Sequence, residues 1–189
     1  MRRRDEKSKG GMYIAVFIAF IMISSVIGYM WGQNAPDVQT GSSTYNEFSF
    51  IKTQNGWSTK IDGITTEVRF HPAEVEAISF SQNEHALLLK GPIYVSYNPL
   101  DENVEMLALA QFELANVLAK KNIQVIPSMS EKNEFGITLA NCDTKGTVLL
   151  LDFDNATTSI TTSGTCIQAK GNPLEIKDRI LYDLYGIIK

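Results

Sequence analysis

Cys142 and Cys166 are the only cysteines among 189 residues. They lack the close Cys-x-x-Cys spacing that lowers a thiol pKa. Joined, they would close a loop of about 24 residues, which stabilises by roughly 3 kcal/mol in the chain-entropy model. A structural disulfide is therefore expected, with a redox-active pair as the sharper alternative. Asp152-Phe153-Asp154 follows the apolar run Thr147–Leu151. Two such carboxylates hold a metal only if further ligands converge on them; otherwise they make a charged turn. His71 and His85 are the only histidines, and neither has a His or Cys three or four residues on, so no zinc site is expected. A Gly-x-Ser-x-Gly elbow for a serine nucleophile is absent. Glu74, Glu76 and Glu84 are sparse and read as a solvated face. Asn155-Ala156-Thr157 is the sole Asn-x-Ser/Thr triplet, a candidate glycosylation site in a predicted turn. No residue is assigned to catalysis, to a cofactor or to a metal.

Asp152-Phe153-Asp154 after an apolar strand resembles the first motif of the haloacid-dehalogenase-like phosphatases. That resemblance implies a nucleophile at Asp152, an acid at Asp154 and a magnesium ion. It covers about half a dozen residues. Ala156 stands where that family has Thr or Val, and the 35 residues after Asp154 are too few for its remaining motifs. The charged-turn reading is retained.

The elements that would position these residues follow from turn and capping chemistry. Tyr45–His71 reads as a β-meander, with turns at Asn55-Gly56 and Asp62-Gly63, where positive φ costs little. Pro72 opens a short helix to about Ile78. Ile93–Tyr97 is a strand, and a helix capped by Asp101 follows. Val104, Leu107, Leu114 and Leu118 form its stripe, and Met106, Leu109 and Phe112 widen it, so the helix is expected to be largely buried. Asn122 suits the residue after its end, and Ile123–Ile126 returns as a parallel strand in a right-handed βαβ unit. Ile137–Asn141 reads as a short strand. The continuous apolar run Thr147–Leu151 reads as a central strand buried on both faces. Ser159–Ala169 pairs back as a hairpin. Asn172-Pro173-Leu174-Glu175 starts a closing helix, with Asn172 as cap and Glu175 reaching back to it.

The fold class expected is α/β or α+β, a mixed sheet carrying a meander, a βαβ unit and a C-terminal helix. Its element order from residue 93 partly resembles a thioredoxin-like core. The strand-to-helix turn that carries Cys-x-x-Cys in that family reads Tyr97-Asn98-Pro99-Leu100 here, so redox activity gains nothing from the likeness.

Gly11–Gly32 is a run of 22 residues without a charge. At 1.5 Å per residue it is long enough for a hydrocarbon core of roughly 30 Å. Tyr13 lies near one end, Tyr29 and Trp31 near the other, as interfacial aromatics do. Arg2, Arg3, Arg4, Lys7 and Lys9 precede it and place the N-terminus in the cytoplasm by the positive-inside rule. The run is too long for a signal-peptide core, and Pro36 is a poor start for a mature chain, so a retained anchor is expected. Lys9-Gly10-Gly11 before an apolar run resembles the processing site of archaeal type IV pilin-like precursors, which would imply a pilin-like surface subunit. In pilins the apolar helix continues as an amphipathic one; here it meets the polar stretch Gln33–Ser43.

The organisation expected is a basic tail (1–10), a transmembrane helix (11–32), a flexible linker (33–44) and an extracytoplasmic domain (45–189). Residues 1–10 carry three net positive charges, leaving −7 on the remainder of a chain of net charge −4. So acidic a domain is a poor match for nucleic acid. With no motif for chemistry, the expected role is a non-enzymatic binding or assembly component of the cell envelope, with the membrane and a protein as partners. A membrane-tethered hydrolase or thiol oxidoreductase is the alternative. A deep pocket of converging titratable groups would favour the enzyme, and an exposed apolar or edge-strand patch the binding protein. Protease added outside intact cells or spheroplasts should digest the domain; digestion only after lysis would reverse the orientation.

Overall fold

Asn46 and Glu47 (φ 43° and 73°), and Asp62 and Gly63 (φ 52° and 80°), take the paired left-handed conformations of type I′ turns. These turns and a third at Gln54-Asn55 fold one antiparallel sheet from β1 (Ser42–Tyr45), β2 (Phe48–Thr53), β3 (Gly56–Ile61) and β4 (Ile64–Val68). Gly56 is required there, because a Cβ would meet the Val68 carbonyl oxygen at 2.2 Å. The computed structural model describes residues 41–189. The expected tail, membrane helix and most of the linker lie outside them. Ser42–Thr44, assigned to the linker, belong to β1. No helix among the described residues is long and apolar enough to cross a membrane.

Two short helices follow, α1 (Pro72–Val75) and α2 (Gln82–Leu89). Helix α2 was not expected; Ser81 and Glu84 form its capping box. The second sheet contains β5 (Ile93–Tyr97), β6 (Val125–Met129), β7 (Thr138–Leu139), β8 (Thr147–Phe153), β9 (Ser159–Ser163) and β10 (Cys166–Gly171). Their order is β7-β6-β5-β8-β10-β9, parallel except where β9 runs against β10. With α3 (Val104–Lys120) and α4 (Pro173–Leu184) the described residues form a mixed α/β structure of two sheets and four helices.

Strand β8 lies centrally as its apolar run implies, with Val148, Leu149 and Leu151 buried and Leu150 half-buried. Helix α3 begins later than expected. Its cap position is Asn103, and Asp101 instead accepts from the Asn103 amide at 2.7 Å. Asn122 does take the left-handed conformation, φ 59°, just past the helix end. Inside, Leu107, Ala110, Leu114, Val117 and Leu118 are buried. Gln111 donates to the carbonyls of Val95 (2.7 Å) and Ser128 (2.9 Å), tying α3 across β5 and β6.

Helix α4 is enclosed more completely than one apolar face can explain. Every residue from Ile176 to Tyr182 is buried, including Lys177, Asp178 and Arg179. Ile176 and Ile180 join the core. The charges serve the other side. Asp178 accepts from the amides of Arg69 (2.8 Å) and Phe70 (2.9 Å), just after β4, and pairs with Lys177. Lys177 also reaches Glu113 of α3 at 3.1 Å. Arg179 Nε donates to the Ile78 carbonyl at 2.8 Å, and the Tyr182 hydroxyl to that of Phe70 at 2.6 Å. Burial pushes the Tyr182 hydroxyl well up, so it stays a neutral donor. Glu175 does not reach back to cap α4; it accepts from the Thr158 hydroxyl at 2.5 Å. Asn172 is the cap, accepting from the Leu174 amide at 3.0 Å.

Asp178→Ala leaves the Arg69 and Phe70 amides unpaired and the buried Lys177 with Glu113 alone, and should cost about 2–4 kcal/mol of stability. Urea unfolding against the unaltered protein measures it; a loss below about 1 kcal/mol would show that the network does not hold the meander.

Candidate functional site

Cys142 and Cys166 are joined in a disulfide, with Cα atoms 5.2 Å apart, and no free cysteine occurs among the described residues. The bond anchors the stretch between β7 and β8 to the first residue of β10. The same stretch is held by the Ser96 hydroxyl, which donates to the Ala140 carbonyl at 2.6 Å, and by Gln168, 3.4 Å from the Cys142 sulfur. Helices α3 and α4 pack on the opposite face, so this strap is what covers the centre of the sheet's second face.

The two aspartates do not converge. Asp152 is exposed and lines a cleft of about 330 Å³ with Thr161, Gln168 and Lys170. Asp154 lies beyond the strand and lines a separate cleft of about 610 Å³ at the carboxyl ends of β8 and β10. There it accepts from the Ala156 amide (2.9 Å) and pairs with Lys170 (3.2 Å), which hold its carboxyl below the usual range. Asn155 is exposed on the rim of the same cleft. Glu74 and Glu175 also line it, yet Glu74 caps the His71 amide and Glu175 holds Thr158. Each carboxylate is bound to a structural partner, so the cleft lacks a free acid–base pair among the described residues. No cluster of three or more His, Cys, Asp or Glu able to hold a metal occurs among them either.

Glu84 is not part of a solvated face. It is buried and accepts from the amide and hydroxyl of Ser81 and from the Thr162 hydroxyl of β9. Burial pushes its carboxyl up, but these hydrogen bonds together outweigh burial and leave it low. Glu76 accepts from the Tyr45 hydroxyl at 2.5 Å. His71 caps α1, its ring 4.8 Å from Trp57 and 5.1 Å from Phe50 between centroids. His85 pairs with Asp183 of α4. Both histidines serve packing and capping.

The feature that the sequence left unassigned is on α3. Phe112 and Leu109 do not widen the buried face: they are 65% and 38% exposed. Leu109 lies one helical turn before Glu113, which meets Lys177 of α4, and with Phe112 it faces away from the buried line of Leu107, Leu114 and Leu118. Leu139 of β7 is 54% exposed, and Phe135 and Ile137 just before it are 79% and 39% exposed. Exposed apolar side chains thus occur in two places, on the outward side of α3 and in the segment that leads into β7. Leu109 and Phe112 lie off the line of Leu107, Leu114 and Leu118, a second stripe that the sequence could have revealed.

The class defined by these features is a two-layer, mostly parallel α/β domain with an appended antiparallel meander. Comparison with protein-family models, with curated proteins and with solved structures finds no match to this chain. The partial likeness to a thioredoxin-like core gains no support there.

Mass analysis without reductant should find no free thiol. Reduction should cost about 3 kcal/mol, the closure entropy of so long a loop, and speed amide exchange across residues 130–146 before α3 or α4. Two free thiols in the native protein would sink the disulfide.

Proposed function

We propose that this chain is a single-pass membrane-anchored envelope protein whose outer domain binds a protein partner and carries out no reaction of its own. The observation that carries this reading is the exposure of the large apolar side chains Leu109 and Phe112 on α3 and Phe135, Ile137 and Leu139 at β7. Large apolar side chains left in water mark an interaction site where they cluster, as Leu109 and Phe112 do one turn apart on α3. Phe112 is a large anchor of the kind that dominates interfaces once water is excluded. The anchoring half of the proposal rests on the uncharged run Gly11–Gly32 and the basic residues before it.

Pro127 refines how the partner docks. Ile93 donates to the Gln124 carbonyl, and the Ser130 amide to Tyr97, so Val125, Pro127 and Met129 turn their backbone groups away from β5, where the Met129 carbonyl accepts from the Ala140 amide of the chain leaving β7. Pro127 has no amide hydrogen to offer there, which blunts the edge against an added strand. The partner is therefore engaged through side chains, not through main-chain pairing.

A second reading, a tethered enzyme, draws on the 610 Å³ cleft at the carboxyl ends of β8 and β10, where open parallel sheets bind ligands. The structural engagement of its carboxylates counts against it.

Cross-linking and affinity purification of the full-length protein from its own membranes should retain a stoichiometric protein. Phe112→Asp and Leu139→Asp should each abolish retention while leaving the circular-dichroism spectrum unchanged. A solitary protein, or retention indifferent to both substitutions, would overturn the proposal and favour the enzyme.

A further inference from the structure

Among the described residues the six-stranded sheet ends in β7 on one side and β9 on the other with no strand beyond either, and the chain treats the two edges differently. The β6–β7 edge is blunted by Pro127 and by the shortness of β7, which pairs only Ser128 and Met129. The β9 edge carries no such device. Its five residues, Ser159-Ile160-Thr161-Thr162-Ser163, include no proline and no charge, and no charged residue occurs anywhere from Asn155 to Thr165. Natural edge strands are commonly protected by Lys, Pro or a bulge, and an unprotected one is a template for another strand.

The hairpin decides which groups are free. Ser163 pairs with Cys166 across the two-residue turn Gly164-Thr165, with Gly164 at φ 62°, as a type II′ turn requires. Residues flanking such a turn exchange both hydrogen bonds, so Ser163, Thr161 and Ser159 bond to β10. Ile160 and Thr162 consequently turn their amides and carbonyls to the open edge. Their side chains are engaged on the helix face, where Ile160 is buried and the Thr162 hydroxyl is held by Glu84. The side chains of Ile160 and Thr162 are thus held while their backbone groups face the edge.

We propose that β9 pairs antiparallel with β9 of a second copy of this chain, about a two-fold axis through Thr161, joining the two sheets into one. The occupant is argued from self-complementarity. In that register Thr161 faces Thr161, Ile160 faces Thr162 and Ser159 faces Ser163, so the uncovered face brings hydroxyls together and no like charges meet. A two-fold interface demands this match of a patch with itself. Five paired residues bury less than the roughly 1,200 Å² of a standard stable interface. The dimer is therefore weak and depends on concentration. This inference is independent of the exposed apolar side chains on α3.

Sedimentation velocity of the full-length protein in mild detergent, across a concentration series, tests it. The unaltered protein should shift reversibly from monomer to dimer, with the Ile160 and Thr162 amides slowing in hydrogen exchange as the dimer fills. Thr161→Lys sets two ammonium groups face to face and should weaken the dimer by about fivefold or more. Its melting temperature should not move, because Thr161 is exposed in the single copy. Thr161→Val should keep the dimer, and so should Phe112→Asp. A monomer at every concentration overturns the inference, as does a dimer indifferent to Thr161→Lys. So does a dimer in which the Ile160 and Thr162 amides exchange unchanged. Loss of the dimer in Phe112→Asp would move the interface to α3, and a different protein held at β9 would make the edge a site for a foreign strand.

Discussion

The buried charges of α4 are the constraint on which the rest of the structure depends. A carboxylate removed from water must recover its hydrogen bonds, or the fold bears the full cost of desolvation. Burial pushes the Asp178 carboxyl up; Lys177 and the amides of Arg69 and Phe70 act against it. Those amides belong to the turn that leaves the meander, so satisfying Asp178 fixes where the first sheet sits against the last helix. Arg179, its charge disfavoured by burial, is held by Asp183 on its own helix and by the Ile78 carbonyl. The end of the chain closes the structure begun by its first described strands. Asn46 repeats the arrangement on a small scale, donating to the Ile187 carbonyl at 3.0 Å.

Enclosing α4 in this way leaves the larger sheet asymmetric. Both long helices pack on one face, and the other is covered at its centre by a strap that Cys142 holds to Cys166. A parallel sheet is ordinarily covered by helices on both sides because its strands are apolar on both. Here the uncovered positions of β8 and β10 are Asp152, Gln168 and Lys170, which water can solvate. The sides are asymmetric as well. One ends in exposed apolar side chains at β7 and a proline-blunted edge, the other in an uncharged strand with free backbone groups. A domain built this way has surfaces suited to contact and no assembled acid–base centre among the described residues, in keeping with the assembly role proposed above.

Much of the local structure was legible in the residues. Asp62-Gly63 needs positive φ and obtains it, Asn172-Pro173 starts a helix, and Thr147–Leu151 is a central strand. These features depend on neighbours within a few residues, where sterics and capping bonds are decided. The single cysteine pair on a chain expected to face an oxidising compartment could likewise be paired without knowing the fold. Glu84 pairs locally with Ser81, which the Ser-x-x-Glu spacing could have revealed, but its burial depends on Thr162, 78 residues away. Leu109 and Phe112 were misjudged because hydrophobicity marks what benefits from cover, not what the topology covers.

The sequence by itself determined most of the element types, the Asp62-Gly63 turn and the pairing of the two cysteines, because each follows from short-range chemistry or composition. Only the tertiary structure decided that three consecutive charges on α4 are buried, that the aspartates of Asp152-Phe153-Asp154 line different clefts, and which apolar side chains stay in water. Those outcomes are set by which distant elements come together. The free energy of a charge or a phenyl ring depends on what surrounds it, and nothing in its own segment records that.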